Sequence, residues 1–154
     1  MHKKVFIILL SFLLLVGCNK KINQNDGIDR IYLNSEFYNK GEFVDIESSD
    51  LLDKINDTYV LFTYNSYCSL PVSCEDIFKS FAKKYKIDFL TIKFEEFKDT
   101  KFYETVEYAP SVIIIKDNEI VDYLDANSDE DLDKYQNIEE FELWMNNYIY
   151  FNKK

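Results

Sequence analysis

Tyr59-Val-Leu-Phe-Thr-Tyr-Asn-Ser-Tyr-Cys68-Ser-Leu-Pro-Val-Ser-Cys74-Glu-Asp-Ile-Phe-Lys-Ser-Phe-Ala-Lys-Lys-Tyr85 decides the fold. It opens as a continuous apolar and β-branched run, Tyr59 to Tyr64, expected of a strand buried on both faces. It closes as an amphipathic helix, with Ile77, Phe78, Phe81 and Tyr85 on one face and Lys79, Lys83 and Lys84 on the other. Between strand and helix stand Cys68 and Cys74. A cysteine at such a turn meets the positive end of a helix dipole, which favours its thiolate. The helix has two possible starts. Ser69 can cap it with Pro71 in the first turn, or Ser73 can cap it with Asp76 three residues on. An unbroken helix from Ser69 would separate the two cysteines by about 9 Å along its axis, beyond disulfide reach. A start at Ser73 would leave a loop between them and permit a disulfide.

The start of the chain reads differently. His2, Lys3 and Lys4 precede an apolar run, Val5 to Val16, interrupted only by Ser11. The run is shorter than the roughly 20 residues of a membrane-spanning helix and has the length of a signal-peptide core. Leu15-Val16-Gly17-Cys18 resembles a bacterial lipobox, which implies cleavage before Cys18 and acylation of its sulfur by chains such as palmitate. The expected organisation is a lipoprotein signal peptide over 1–17, a lipidated tether and N-terminal extension over 18–42, and one domain over 43–154. The domain would lie at the cell membrane, lipid-anchored on the extracytoplasmic face, where disulfides persist. Cys18 is then consumed by lipid, and of the 3 cysteines Cys68 and Cys74 remain as a pair.

Formal charge is −10, and removal of residues 1–17 takes Lys3 and Lys4 with it. So acidic a domain should be repelled from anionic lipid and should not bind nucleic acid. The lone histidine, His2, lies in the signal segment, which leaves no histidine for metal or triad chemistry. Asp125, Asp129, Glu130, Asp131 and Asp133 lack the central glycine and closing glutamate of an EF-hand and read as a solvated loop. No glycine-rich phosphate loop is present, and neither a metal nor a cofactor is expected.

Further along, Phe43 to Ile46 alternates as a first strand, and Ser48 or Ser49 can cap a helix over Asp50 to Ile55. Ile87 to Phe94 alternates as a third strand. A loop and short helix follow, with Phe97, Phe102, Tyr103 and Val106 turned inward. Tyr108-Ala109-Pro110 breaks this segment. Ser111 to Ile115 and Ile120 to Leu124 flank an Asp117-Asn118 hairpin turn. Asn137 can cap a last helix with Phe141, Trp144 and Met145 on its apolar side.

This order, with a cysteine after the second strand and a proline before the hairpin, resembles the thioredoxin family over about residues 43–150. With the lipobox, the nearest type is a small thioredoxin-like lipoprotein of Gram-positive bacteria. The resemblance implies an α/β, thioredoxin-like fold, a central mixed β-sheet flanked by helices, after a signal peptide and polar tether. Tyr67-Cys68 takes the place of the family's Trp-Cys. Ala109-Pro110-Ser111 looks like its cis-proline loop, so Tyr67, Ala109 and Pro110 are implied as substrate-binding and Cys68 and Cys74 as catalytic. The sequence departs from the family at two points. Pro71 stands where C-x-x-C has its second cysteine, and Phe62 stands where the family has a buried acid. Two function classes follow: a thiol–disulfide oxidoreductase acting on protein thiols, or a non-catalytic module that binds a peptide or protein partner.

Overall fold

The computed structural model describes residues 29–65 and 70–154. Its five strands are β1 (Phe43–Asp45), β2 (Tyr59–Tyr64), β3 (Phe89–Lys93), β4 (Ser111–Lys116) and β5 (Glu119–Tyr123), in the spatial order β1-β3-β2-β4-β5. β1 and β2 both run parallel to β3; β4 runs antiparallel to β2, and β5 to β4. The near-continuous burial of β2, expected from its apolar run, follows from its central place in this mixed sheet. Asp117 and Asn118 turn the β4–β5 hairpin with φ of 50° and 68°, the left-handed values a two-residue turn requires.

Five helices flank the sheet: α1 (Ser49–Leu52), α2 (Cys74–Tyr85), α3 (Phe94–Phe97), α4 (Leu132–Gln136) and α5 (Ile138–Tyr148). Side chains alternate across β2, so Tyr59 and Phe62 point to opposite faces. On the Phe62 side, Phe62 meets Phe78 edge-on at 5.4 Å, and Phe78 and Phe81 reach Phe141 at 4.6 and 5.1 Å. α2 and α5 thus pack together over one face, with the apolar sides read from their periodicity. On the other face Phe37 approaches Tyr59 at 6.0 Å.

Several elements differ from the sequence reading. The helix expected over Asp50 to Ile55 is a single turn, α1, and the third strand spans Phe89 to Lys93 only. The acidic stretch is not loop throughout, because its end winds into α4. The folded unit also reaches back before Phe43. Leu33 and Phe37 are buried in the core, Ile31 bridges in parallel to Ile149, and Tyr38 bridges to Ile87. Residues 31–42 therefore pack as part of the domain, because their apolar side chains cover the sheet end where β2 and β3 begin. The expected signal segment and Cys18 lie outside the described residues. No helix among the described residues is long and apolar enough to cross a membrane.

Candidate functional site

The site lies where β2 ends. β2 and β3 are parallel and β4 is antiparallel, and Thr63 pairs with Ser111. The segment leaving β2 and the loop entering β4 therefore meet at one end of the sheet. Asn65 stands just after β2, and its side-chain amide donates to the Ala109 carbonyl at 3.1 Å. The Ala109–Pro110 peptide bond is cis, as the resemblance implied. The Ser111 hydroxyl donates back to the Tyr108 carbonyl at 2.7 Å, closing the loop on itself.

Of the two helix starts open in the sequence, the structure adopts the second. Ser73 is the N-cap, its hydroxyl accepting from the Asp76 N–H at 3.4 Å, and residues 70–73 are not helical. Cys74 is consequently the first residue of α2, and it is buried with 2% of its surface exposed. The objection to a disulfide, six residues of helical rise, does not apply to this geometry. Tyr67 and Cys68 lie outside the described residues, so the approach of the two sulfurs does not enter the description. Glu75 and Asp76 fill the first turn of α2 and neutralise part of its positive end, tempering the activation of any thiolate there. Glu75 is partly turned away by its ion pair with Lys79 at 2.6 Å.

Phe62 occupies its position as a core aromatic, 1% exposed and wedged among Phe43, Tyr64 and Phe78. Nothing titrates at that point. Thr63 beside it is fully buried. Among the described residues no group of three His, Cys, Asp or Glu side chains converges to hold a metal.

Sequence reasoning missed two further residues, Tyr135 and Gln136 of α4. The buried Tyr135 hydroxyl lies 2.8 Å from the Pro110 carbonyl and 2.9 Å from the Leu124 carbonyl, and donates to them. Burial above all pushes its pKa up; a hydrogen bond with Ser111 opposes this, and the negative charges of Asp131, Cys74 and Asp125 add to it. Gln136 pairs with the backbone of Val72, in the segment between the cysteines. No motif marks either residue. The one available signal was a tyrosine two residues ahead of the Asn137 cap.

A parallel β1-β3-β2 half joined to an antiparallel β4-β5 hairpin, with α2 rising from the end of the central strand, leaves one assignment. The fold is thioredoxin-like. Solved structures similar to the chain include a mutant thioredoxin from Halobacterium salinarum, at 20% identity over 67% of this chain and 93% of that one with a TM-score of 0.47. Thioredoxin from Schistosoma mansoni is 18% identical over 72% of this chain and 99% of its own, with a TM-score of 0.48. Thioredoxin f from spinach chloroplast is 19% identical over 71% and 97%, with a TM-score of 0.44. No protein-family model matches the chain. No curated protein matches it either.

Proposed function

We propose that this thioredoxin-like chain is a membrane-anchored, extracytoplasmic thiol–disulfide oxidoreductase that uses Cys68 and Cys74 on protein thiols. The observation that carries the reading is Cys74, buried at the first position of α2, with a non-helical segment leading back toward Cys68 and the proline loop alongside. Cys68, nearer the end of β2, is the attacking group. Its thiolate forms a bond to one sulfur of a partner disulfide, and the other partner sulfur leaves with the electron pair and takes a proton. Cys74 then loses its proton and attacks the Cys68 sulfur. That step releases the second partner thiol and leaves a Cys68–Cys74 disulfide. The partner is reduced by two electrons and the protein oxidised by two; the reverse sequence oxidises a partner dithiol. Tyr67, Ala109 and Pro110 would line the groove for an extended peptide. Lipid on Cys18 would supply the anchor.

The test uses single replacements. Cys74→Ser should trap a mixed disulfide with a disulfide-containing peptide, and Cys68→Ser should not. If neither variant traps one, or Cys74 is alkylated faster than Cys68, exchange is lost as an explanation. Phe62 supports a second reading, because the position where the resemblance puts a proton-moving acid holds a buried phenyl ring. A non-catalytic module would then bind its partner through the same groove without exchange. The anchor is tested separately: Cys18→Ala should release the protein from the membrane or stop its processing, and unchanged retention with normal cleavage would refute lipidation.

A further inference from the structure

Two adjacent residues of α4 touch the two halves of the site. Tyr135 holds the proline loop through the Pro110 carbonyl, and Gln136 holds the segment between the cysteines through Val72. The Gln136 contact is two-sided. Its side-chain oxygen accepts the Val72 N–H at 3.4 Å, and its nitrogen donates to the Val72 carbonyl at 3.1 Å. That nitrogen also donates to its own neighbour's carbonyl, on Tyr135, at 3.2 Å. The Val72 side chain is exposed, at 43%, so burial does not hold this residue. Pro71 is exposed as well, and Leu70 is half-buried. Among the described residues Leu70 packs against the core and Ser73 caps α2, and between them the Val72 backbone is gripped from outside by the Gln136 amide. α4 is itself secured: Lys134 pairs with Asp131, the Asn137 N–H donates to the Asp133 carbonyl at 2.8 Å, and Asn137 goes on to cap α5.

We propose that Gln136 is a positioning residue for exchange between Cys68 and Cys74, a role that rests on the oxidoreductase reading above. In the resolving step the Cys74 sulfur must bond to the Cys68 sulfur while the bond from Cys68 to the partner breaks and the partner sulfur departs with the electrons. The rate depends on the effective concentration of one sulfur at the other, which falls as the intervening chain gains freedom. Gln136 restricts that freedom in the dithiol and mixed-disulfide states. A closed disulfide already restricts the same segment, so loss of the grip costs the open states their order and penalises closure.

The experiment uses the full-length protein in detergent, equilibrated with reduced and oxidised glutathione. Loss of hydrogen bonds of ordinary strength in Gln136→Leu should lower the ratio of closed disulfide to dithiol about five-fold at a fixed glutathione ratio. Decay of the mixed disulfide between Cys68 and glutathione should slow by a similar factor. Gln136→Glu keeps an acceptor for the Val72 N–H but cannot donate to its carbonyl, and should fall between the two. A Gln136→Leu protein with wild-type equilibrium and wild-type decay overturns the role while leaving exchange intact. A wild-type protein that forms neither a mixed nor a closed disulfide overturns the exchange reading, and this role with it.

Discussion

At the end of the sheet where β1, β2 and β3 begin, one carboxylate gathers four donors. Asp88, 6% exposed, accepts the N–H groups of Lys40, Gly41 and Glu42 at 3.1, 2.7 and 2.8 Å and the Asn39 amide at 3.0 Å. At the opposite end, where β2 finishes, the described contacts between the loops include those of Asn65 to Ala109, Tyr135 to Pro110 and Gln136 to Val72. The first arrangement binds a charged group to consecutive backbone donors, which is strong and leaves little play. The second joins separate elements by neutral bonds worth about 1 kcal/mol each. The contrast is between an end where one carboxylate gathers consecutive backbone donors and an end whose described loops meet through neutral side chains.

Four substitutions probe that contrast. The largest effect is expected at Gly41, where φ is +76° and an added Cβ would collide with the Ala82 carbonyl of α2. Gly41→Ala should lose about 3 kcal/mol by chemical denaturation, from the left-handed backbone and the overpacking together. A loss under about 1 kcal/mol would show that this end yields more readily than its bonding suggests. Asp88 comes next. Its burial raises the carboxyl pKa, but the bonds from Glu42, Asn39, Gly41 and Lys40 outweigh that and hold it below the usual carboxylate value. A depressed folded pKa gives stability that is present above the unfolded value, near 3.9, and lost as pH falls through the folded one. Asp88→Asn should cost about 2 kcal/mol at neutral pH and flatten the fall in stability below about pH 4. An acid limb of the same steepness in both proteins would assign it to other carboxylates.

Tyr135→Phe removes the bond to the proline loop while keeping the ring packed on Phe78, 5.7 Å away. It should cost about 1 kcal/mol globally. Amide exchange should speed up around Pro110 and Leu124 but not around Asp88. Equal acceleration at both ends would erase the distinction between them. The smallest effect is expected from Arg30→Ala. Arg30 lies over the Tyr150 ring at 4.3 Å and donates to Asn146 at 2.8 Å, both at the surface. Its removal should cost no more than about 0.5–1 kcal/mol, and a larger loss would mean that this stack secures the tail end as much as Asp88 does.

The parts of the fold legible in the sequence are those fixed by neighbours in the chain. The β2 run, the Asp117-Asn118 turn and the Asn137 cap each carry their own local chemistry, and each sits where it was read. Ser69 and Ser73 are equally able to cap, and only the tertiary setting of α2 selects Ser73. α4 is a single turn with Leu132 and Tyr135 as its apolar residues, too few to show a period amid acidic neighbours. The packing of residues 31–38 gave no sign in the sequence because the partners are remote: Ile149 for Ile31, Tyr59 for Phe37 and Ile87 for Tyr38. Cys74 at the start of α2 and the proline loop were read from their place in a pattern. The side chains that hold them were not, since a glutamine beside a helix cap is ordinary until the chain has folded back upon it.

The parallel bridge of Ile31 to Ile149 fixes where the chain comes in. Ile31 donates its N–H to the Tyr148 carbonyl at 2.7 Å and accepts from Tyr150 at 3.0 Å, at the sheet end opposite Asn65 and Pro110. The 6 residues of β2 separate those two ends by roughly 17–20 Å. Cys74 and the Ala109–Pro110 loop therefore stand at the pole away from the point where the described chain enters the fold. A chain held by its start, as proposed above, would turn that pole outward.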